Sequence, residues 1–135
     1  LPLPGTPIRI AVTPDGATAL VTCAAASELV AYDVATRTVR ARAKVDVPLA
    51  PDAAERPFAR LAPGSALPVG LLVARDGRSA FVAATMGDRV VQYDVATLEP
   101  SRAIEVGGEP DGLGSTTVLQ TAPCHACTPD GGASD

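Results

Sequence analysis

Tryptophan is absent, histidine occurs once, and aromatic side chains make up only 3% of the 135 residues. A histidine-based triad repeated across the chain therefore lacks its residues, and no glycine-rich loop leads into a helix to cradle a nucleotide. Basic charge is short as well: 11 Lys and Arg stand against 15 Asp and Glu, a net charge of −4. Without a basic field, or aromatic platforms on which bases could stack, the chain does not read as a nucleic-acid binder. Long apolar runs are also missing. The longest candidate, residues 19–31, is broken by Thr22, Ser27 and Glu28 and falls short of the ~18 residues a membrane helix needs, so no membrane insertion is expected. Cysteine is scarce, and the three present (Cys23, Cys124 and Cys127) cannot all pair within one chain.

What is abundant is small and apolar. Hydrophobic residues reach 47%, mostly Ala, Val and Leu, which describes a folded chain with closely packed layers. Its order becomes visible in one repeated stretch. Val30-Ala31-Tyr32-Asp33-Val34-Ala35-Thr36 returns as Val91-Gln92-Tyr93-Asp94-Val95-Ala96-Thr97, with a single change. Laying residues 7–45 on 68–106, an offset of 61, matches 13 of 39 positions. A third copy begins at Pro110, an offset of 42 from Pro68, and a period of about 42 residues is the length of a propeller blade.

Each copy reads as four short strands. In the first, strands are expected over 8–12, 19–23, 29–33 and 38–45. Thr13-Pro14-Asp15-Gly16 forms the first turn, because Pro presets φ and Gly accepts a positive one. Blade 1 thus covers about 7–47, blade 2 about 68–106 and a partial third blade about 107–135. The expected class is all-β: propeller blades of four-stranded antiparallel sheets in an incomplete ring. The excess between the first two copies falls in an insertion loop over 46–67, with Pro48, Pro51, Pro57 and Pro63 among charged residues. It reads first as a solvated connection, and alternatively as a binding loop. Asp15, Asp33, Asp76 and Asp94 recur at equivalent turns, which points to turn capping rather than catalysis. Tyr32 and Tyr93 are expected to pack between sheets; Met86 to Arg89 depart from the first copy and read either as a loop contact or as only a different loop.

Pro68-Val-Gly-Leu71, Asp76-Gly77, Ala80-Phe-Val-Ala83, Val90 to Thr97 and Ile104-Glu-Val-Gly-Gly-Glu-Pro110 together resemble the YVTN family of β-propeller repeats. The likeness covers about two thirds of the chain and lies in pattern, since Ala80-Phe-Val-Ala83 and Ala19-Leu-Val-Thr22 stand where the namesake Tyr-Val-Thr-Asn falls. It implies one four-stranded blade per repeat and a secreted or periplasmic protein, including surface-layer proteins. A tryptophan-aspartate propeller, the nearest rival by period, lacks its signature residues.

Two blades cannot close a ring that takes about four to eight, so the remaining blades, from this chain or another, are the first expected partners. The start at Leu1, with no Met and no leader, fits either a removed signal segment or a piece of a longer chain. The single stretch with metal-ligand chemistry is Pro123-Cys124-His125-Ala126-Cys127, which fits a local disulfide, an inert tail or a metal or redox role. Thr128 follows Cys127 where covalent haem attachment needs histidine. No catalytic, cofactor-binding or metal residue and no cofactor is assigned. The reading is a non-enzymatic binding or scaffolding module outside the cytoplasm that presents loops to a protein or glycan. The alternatives are a cofactor-bearing propeller enzyme or electron-transfer accessory, and a surface-layer component.

Overall fold

The computed structural model describes residues 3–116; Cys124, His125 and Cys127 lie outside the described residues. The described residues form eight strands: β1 (Pro7–Val12), β2 (Thr18–Cys23), β3 (Glu28–Asp33), β4 (Thr38–Lys44), β5 (Pro68–Val73), β6 (Ser79–Ala84), β7 (Arg89–Asp94) and β8 (Pro100–Glu105). They pair as two antiparallel four-stranded sheets in sequence order, β1-β2-β3-β4 and β5-β6-β7-β8. Each sheet is a meander, and β1 and β5 lie next to each other.

The repeat is reproduced in backbone detail. Both sheets carry a register shift near the start of their first pairing, between Pro7 and Arg9 and between Pro68 and Gly70. Both also shift immediately before the repeated tyrosine. Left-handed φ recurs at Gly16 and Gly77, Ser27 and Asp88, and Arg37 and Leu98, each pair 61 residues apart. Leu67 and Glu109, 42 residues apart, share a φ of 52° and 54°, and each precedes a proline.

The sheets pack face to face. Leu20, Leu29 and Ala31 of the first sheet meet Ala80, Val82, Val91 and Tyr93 of the second, and all are buried. This covers one face of β2, and on the other Val21 and Cys23 are buried with Val30 against Leu3, Ala26 and Val39, so β2 is buried along its whole length whereas β4 alternates. The first-sheet side chains in this interface and their partners from the second sit on opposite faces of their own sheets. Positions equivalent to Leu20 and Leu29 are Phe81 and Val90, which point away from the first sheet by the pairing register. The repeat is therefore rotational, each sheet offering one face backward and the other forward.

Tyr93 is 1% exposed and its hydroxyl donates to the Lys44 carbonyl oxygen at 3.2 Å, inside this interface. Burial pushes its phenol up to about 12, with the Asp46 charge adding to the effect. Tyr32, on the backward face of the first sheet, is only half-buried. The expected packing between sheets thus holds for one tyrosine, because the other has no described sheet in front of it.

The insertion departs from a solvated connection. Residues 46–67 contain two short 3-10 turns, Ala53–Glu55 and Pro57–Arg60. Ala50, Ala53, Ala62 and Leu67 form a second small core with Ala24 and Met86. Backbone bonds tie it on both sides: the Ala50 amide donates to the Met86 oxygen at 2.8 Å, and the Met86 amide to the Ala66 oxygen at 3.0 Å. Alanines at the contacts let the backbones approach closely enough to pair.

Candidate functional site

The two ends of the sheets differ chemically. At one end lie the turns β1–β2, β3–β4, β5–β6 and β7–β8, and each is closed by an aspartate. Asp15 Oδ1 accepts the Ala17 amide at 3.0 Å and the Thr13 hydroxyl, and Asp76 Oδ1 accepts the Arg78 amide at 2.9 Å. Asp33 Oδ1 accepts both the amide and hydroxyl of Thr36, and Asp94 Oδ1 those of Thr97. These bonds favour the ionised form and hold Asp15, Asp33 and Asp94 below the usual carboxylate range, led by the Thr13 hydroxyl at Asp15 and by the Thr36 and Thr97 amides at the other two. The repeated carboxylates are thus occupied in shaping turns.

At the opposite end stand the β2–β3 and β6–β7 connections, the insertion and the segment leaving β8. Here a cleft of about 460 Å³ opens. Ile8 of β1 and Val69 of β5 supply part of its lining, Ala24, Ala25 and Thr85 come from the connections, and Phe58, Leu61, Ala62 and Leu67 from the insertion. Thr6, Glu109 and Asp111 complete the lining, so its charged groups are two carboxylates. Phe58 and Leu61 remain 49% and 73% exposed, large apolar side chains held at the surface.

Arg56 fixes the insertion in place. Its guanidinium donates to Asp88 in a two-point grip at 2.7 and 2.8 Å, to Asp52 Oδ1 and to the Thr85 carbonyl oxygen. Its side chain is only 9% exposed, and the hydrogen bonds to Asp88 and then Asp52 raise its affinity for its proton further. Asp88 also accepts the Glu109 amide at 2.9 Å. The Arg56 hydrogen bonds first, then this amide, hold Asp88 down to about 2. Arg89 adds bonds to the Gly87 and Pro48 carbonyl oxygens and pairs with Glu105 at 2.7 Å. Of the two readings of Met86 to Arg89, the loop contact is the one found, and the insertion makes it.

The segment leaving β8 closes the remaining side. Thr85 Oγ1 donates to the Pro110 carbonyl oxygen at 2.7 Å. Beside it, Gly70 lets the chain pass at a distance no side chain would permit: a Cβ there would lie 1.8 Å from the Asp111 carbonyl oxygen. Composition gave no signal for this role of Gly70, nor for Arg56, whose partner is 32 residues away. Among the described residues, no group of three or more His, Cys, Asp or Glu side chains is placed to hold a metal ion. No helix there is long and apolar enough to cross a membrane. Cys23 is fully buried, and burial, then the Glu28 charge, pushes its thiol up.

Two meandering four-stranded sheets packed face to face in rotational order define blades of a β-propeller, and solved structures agree. The chain is similar to Kuenenia stuttgartiensis hydrazine synthase at 24% identity and a TM-score of 0.64, over 83% of this chain and 26% of that one. It resembles the β-propeller domain of Myceliophteria thermophila Cps50 (Swd1) at 15% identity and a TM-score of 0.60, over 82% and 29%. Apo AztD from Citrobacter koseri matches at 20% identity and a TM-score of 0.60, over 82% and 26%. The chain thus spans roughly a quarter to 30% of the length of these structures. No protein-family model and no curated relative matches it.

Proposed function

We propose that the chain is part of a larger β-propeller that acts as a non-enzymatic binding or scaffolding module outside the cytoplasm, with its ligand seated in the cleft beside the insertion. The observation that carries this reading is the Arg56 clasp. It holds a 22-residue insertion (46–67) against the second blade, while Ser65 and Ala66 bond Ala24 and Ser27 of the first, and Phe58 and Leu61 stay exposed along a concave apolar surface. Such a surface has the size and lining of a small-ligand or anchor-residue site. Apolar walls favour an apolar group over a glycan. The remaining blades are the other partners. Support comes from the forward-facing Phe81 and Val90, the half-buried Tyr32, and the recurrence of the Leu67 backbone at Glu109, where a third blade of about 107–135 would begin. The location outside the cytoplasm rests on the likeness to YVTN repeats.

The test replaces residues 49–64 of the full-length chain with two glycines and titrates 4-phenylbutanol while recording amide shifts. Shifts at Ala24, Leu67 and Thr85 that vanish with the insertion support the cleft; shifts elsewhere, or unchanged by the replacement, overturn it. A cofactor-bearing enzyme is the second reading. It draws on the likeness to dihydro-heme d1 dehydrogenase NirN in complex with DHE, at 17% identity and a TM-score of 0.56. A visible absorption band in the purified full-length chain would favour it.

A further inference from the structure

Resting on the cleft as the binding site, we infer that its ligand is an organic cation: an apolar body carrying an ammonium group. The walls are aliphatic or aromatic, and the lining contains Glu109 and Asp111 but no lysine or arginine. The nearby cations stay out of the lining: Arg60, between Phe58 and Leu61, is exposed to solvent and is not among the lining residues. Arg56, the best placed, is consumed by Asp88 and Asp52. Arg9 approaches Asp111 at 3.8 Å, with both side chains more than half exposed, a contact too loose and too solvated to cancel the carboxylate. Glu109 uses only its backbone amide, toward Asp88, and its carboxylate has no ion pair among the described residues. The charged residues of the lining are therefore both acidic.

An apolar ligand that also carries positive charge meets both features at once. Its body replaces water against Ile8, Leu61 and Val69, and its charge sits where the carboxylates stand. The half-exposed face of Phe58 adds an attraction for ammonium, which an aromatic ring offers through its quadrupole. A neutral ligand gains only the burial. An anion of the same shape gains the burial and is opposed by Glu109 and Asp111.

The experiment compares 4-phenylbutylammonium, 4-phenylbutanol and 4-phenylbutyrate, matched in body and different in charge, by calorimetric titration of the full-length chain at low salt. The expected order is ammonium, then alcohol, then carboxylate, with the ammonium at least about tenfold tighter than the alcohol. The gap should narrow as salt screens the charges. The double variant Glu109→Gln, Asp111→Asn should bring the ammonium to the affinity of the alcohol and leave the alcohol unchanged. Equal or reversed affinities, or a preference that survives the double variant, overturn the cation assignment while leaving the cleft as a site. Failure of all three probes to bind overturns both.

Discussion

Replacing Gly70 with alanine tests whether the segment leaving β8 is truly part of the cleft. The backbone at Gly70 is one that alanine adopts freely, since its φ is not among the positive ones. The perturbation is therefore purely steric. The new methyl would lie 1.8 Å from the Asp111 carbonyl oxygen and 2.9 Å from the Ala83 methyl, so the backbone at Asp111 must withdraw by more than ~1 Å to reach ordinary contact. That withdrawal breaks the Thr85 hydroxyl bond to Pro110 and pulls the Glu109 amide from Asp88. At roughly 0.5–1.5 kcal/mol per hydrogen bond the loss is about 1–3 kcal/mol. Alanine returns about 0.4–1 kcal/mol by restricting the unfolded chain, which leaves a net cost on the order of 1–2 kcal/mol. Urea denaturation measures the cost, and hydrogen exchange at the Glu109 amide locates it. Gly107→Ala is the control, because a Cβ there meets nothing within 4 Å. If Gly70→Ala matches that control in stability and the Glu109 amide stays protected, the close passage of the segment over β5 is refuted.

The Arg56 clasp predicts that Arg56→Ala frees the insertion while both sheets stay folded, seen as rapid proteolysis within residues 51–61; resistance equal to the unmodified chain would contradict it. Asp88 gives the clasp a pH limit. Its carboxyl is depressed from 3.8 to about 2, so its contribution is complete above about pH 4 and fades as pH falls toward 2. The protection factor of the Glu109 amide, its exchange rate relative to the intrinsic rate at the same pH, should fall across that window and stay flat between pH 5 and 8. In the packed interface, Leu20→Ala should cost about 2–5 kcal/mol because Leu20 is fully buried, whereas Ile10→Ala, at a side chain 68% exposed, should cost far less in thermal unfolding. The tyrosines test the ring. Tyr93→Phe should lose ~1 kcal/mol with the bond to Lys44, and in the full-length chain Tyr32→Phe should lose as much, whereas no loss at Tyr32 argues against a preceding blade.

The fold was legible because it is written twice. Strand positions, the Asp15 and Asp76 turns and the glycines that follow them recur at one spacing, and local turn chemistry is enough to place them. The site is written once. The grip of Arg56 on Asp88 and the passage of Asp111 over Gly70 join residues more than 30 positions apart, and no local pattern encodes such pairs. A proline-rich, charged composition also disguised the insertion as solvated loop. What it buries is alanine, which composition does not distinguish from surface filler. Tyr32 shows the converse limit: an identical motif has a different environment when the neighbouring sheet differs.

Where the two copies share a backbone and differ in side chain, the difference marks the site. Ser27 and Asp88 occupy equivalent positions with φ near 53° and 51°, and their carbonyl oxygens accept the equivalent amides of Val45 and Val106. Ser27 directs its hydroxyl to the Val45 carbonyl oxygen at 2.9 Å, closing its own blade, and accepts the Ala66 amide from the end of the insertion at 3.2 Å. Asp88 reaches outward to Arg56 and to the Glu109 amide. One left-handed position, short and polar in both copies, thus holds the insertion from both blades: Ser27 takes its end at Ala66, and Asp88 takes its middle at Arg56. Exchanging the side chains separates backbone from chemistry: Asp88→Ser keeps the left-handed turn and removes the grip. It should leave β7 paired with β6 and β8 while releasing residues 52–61, and loss of the β7 pairing instead would show that the carboxylate serves the blade rather than the cleft.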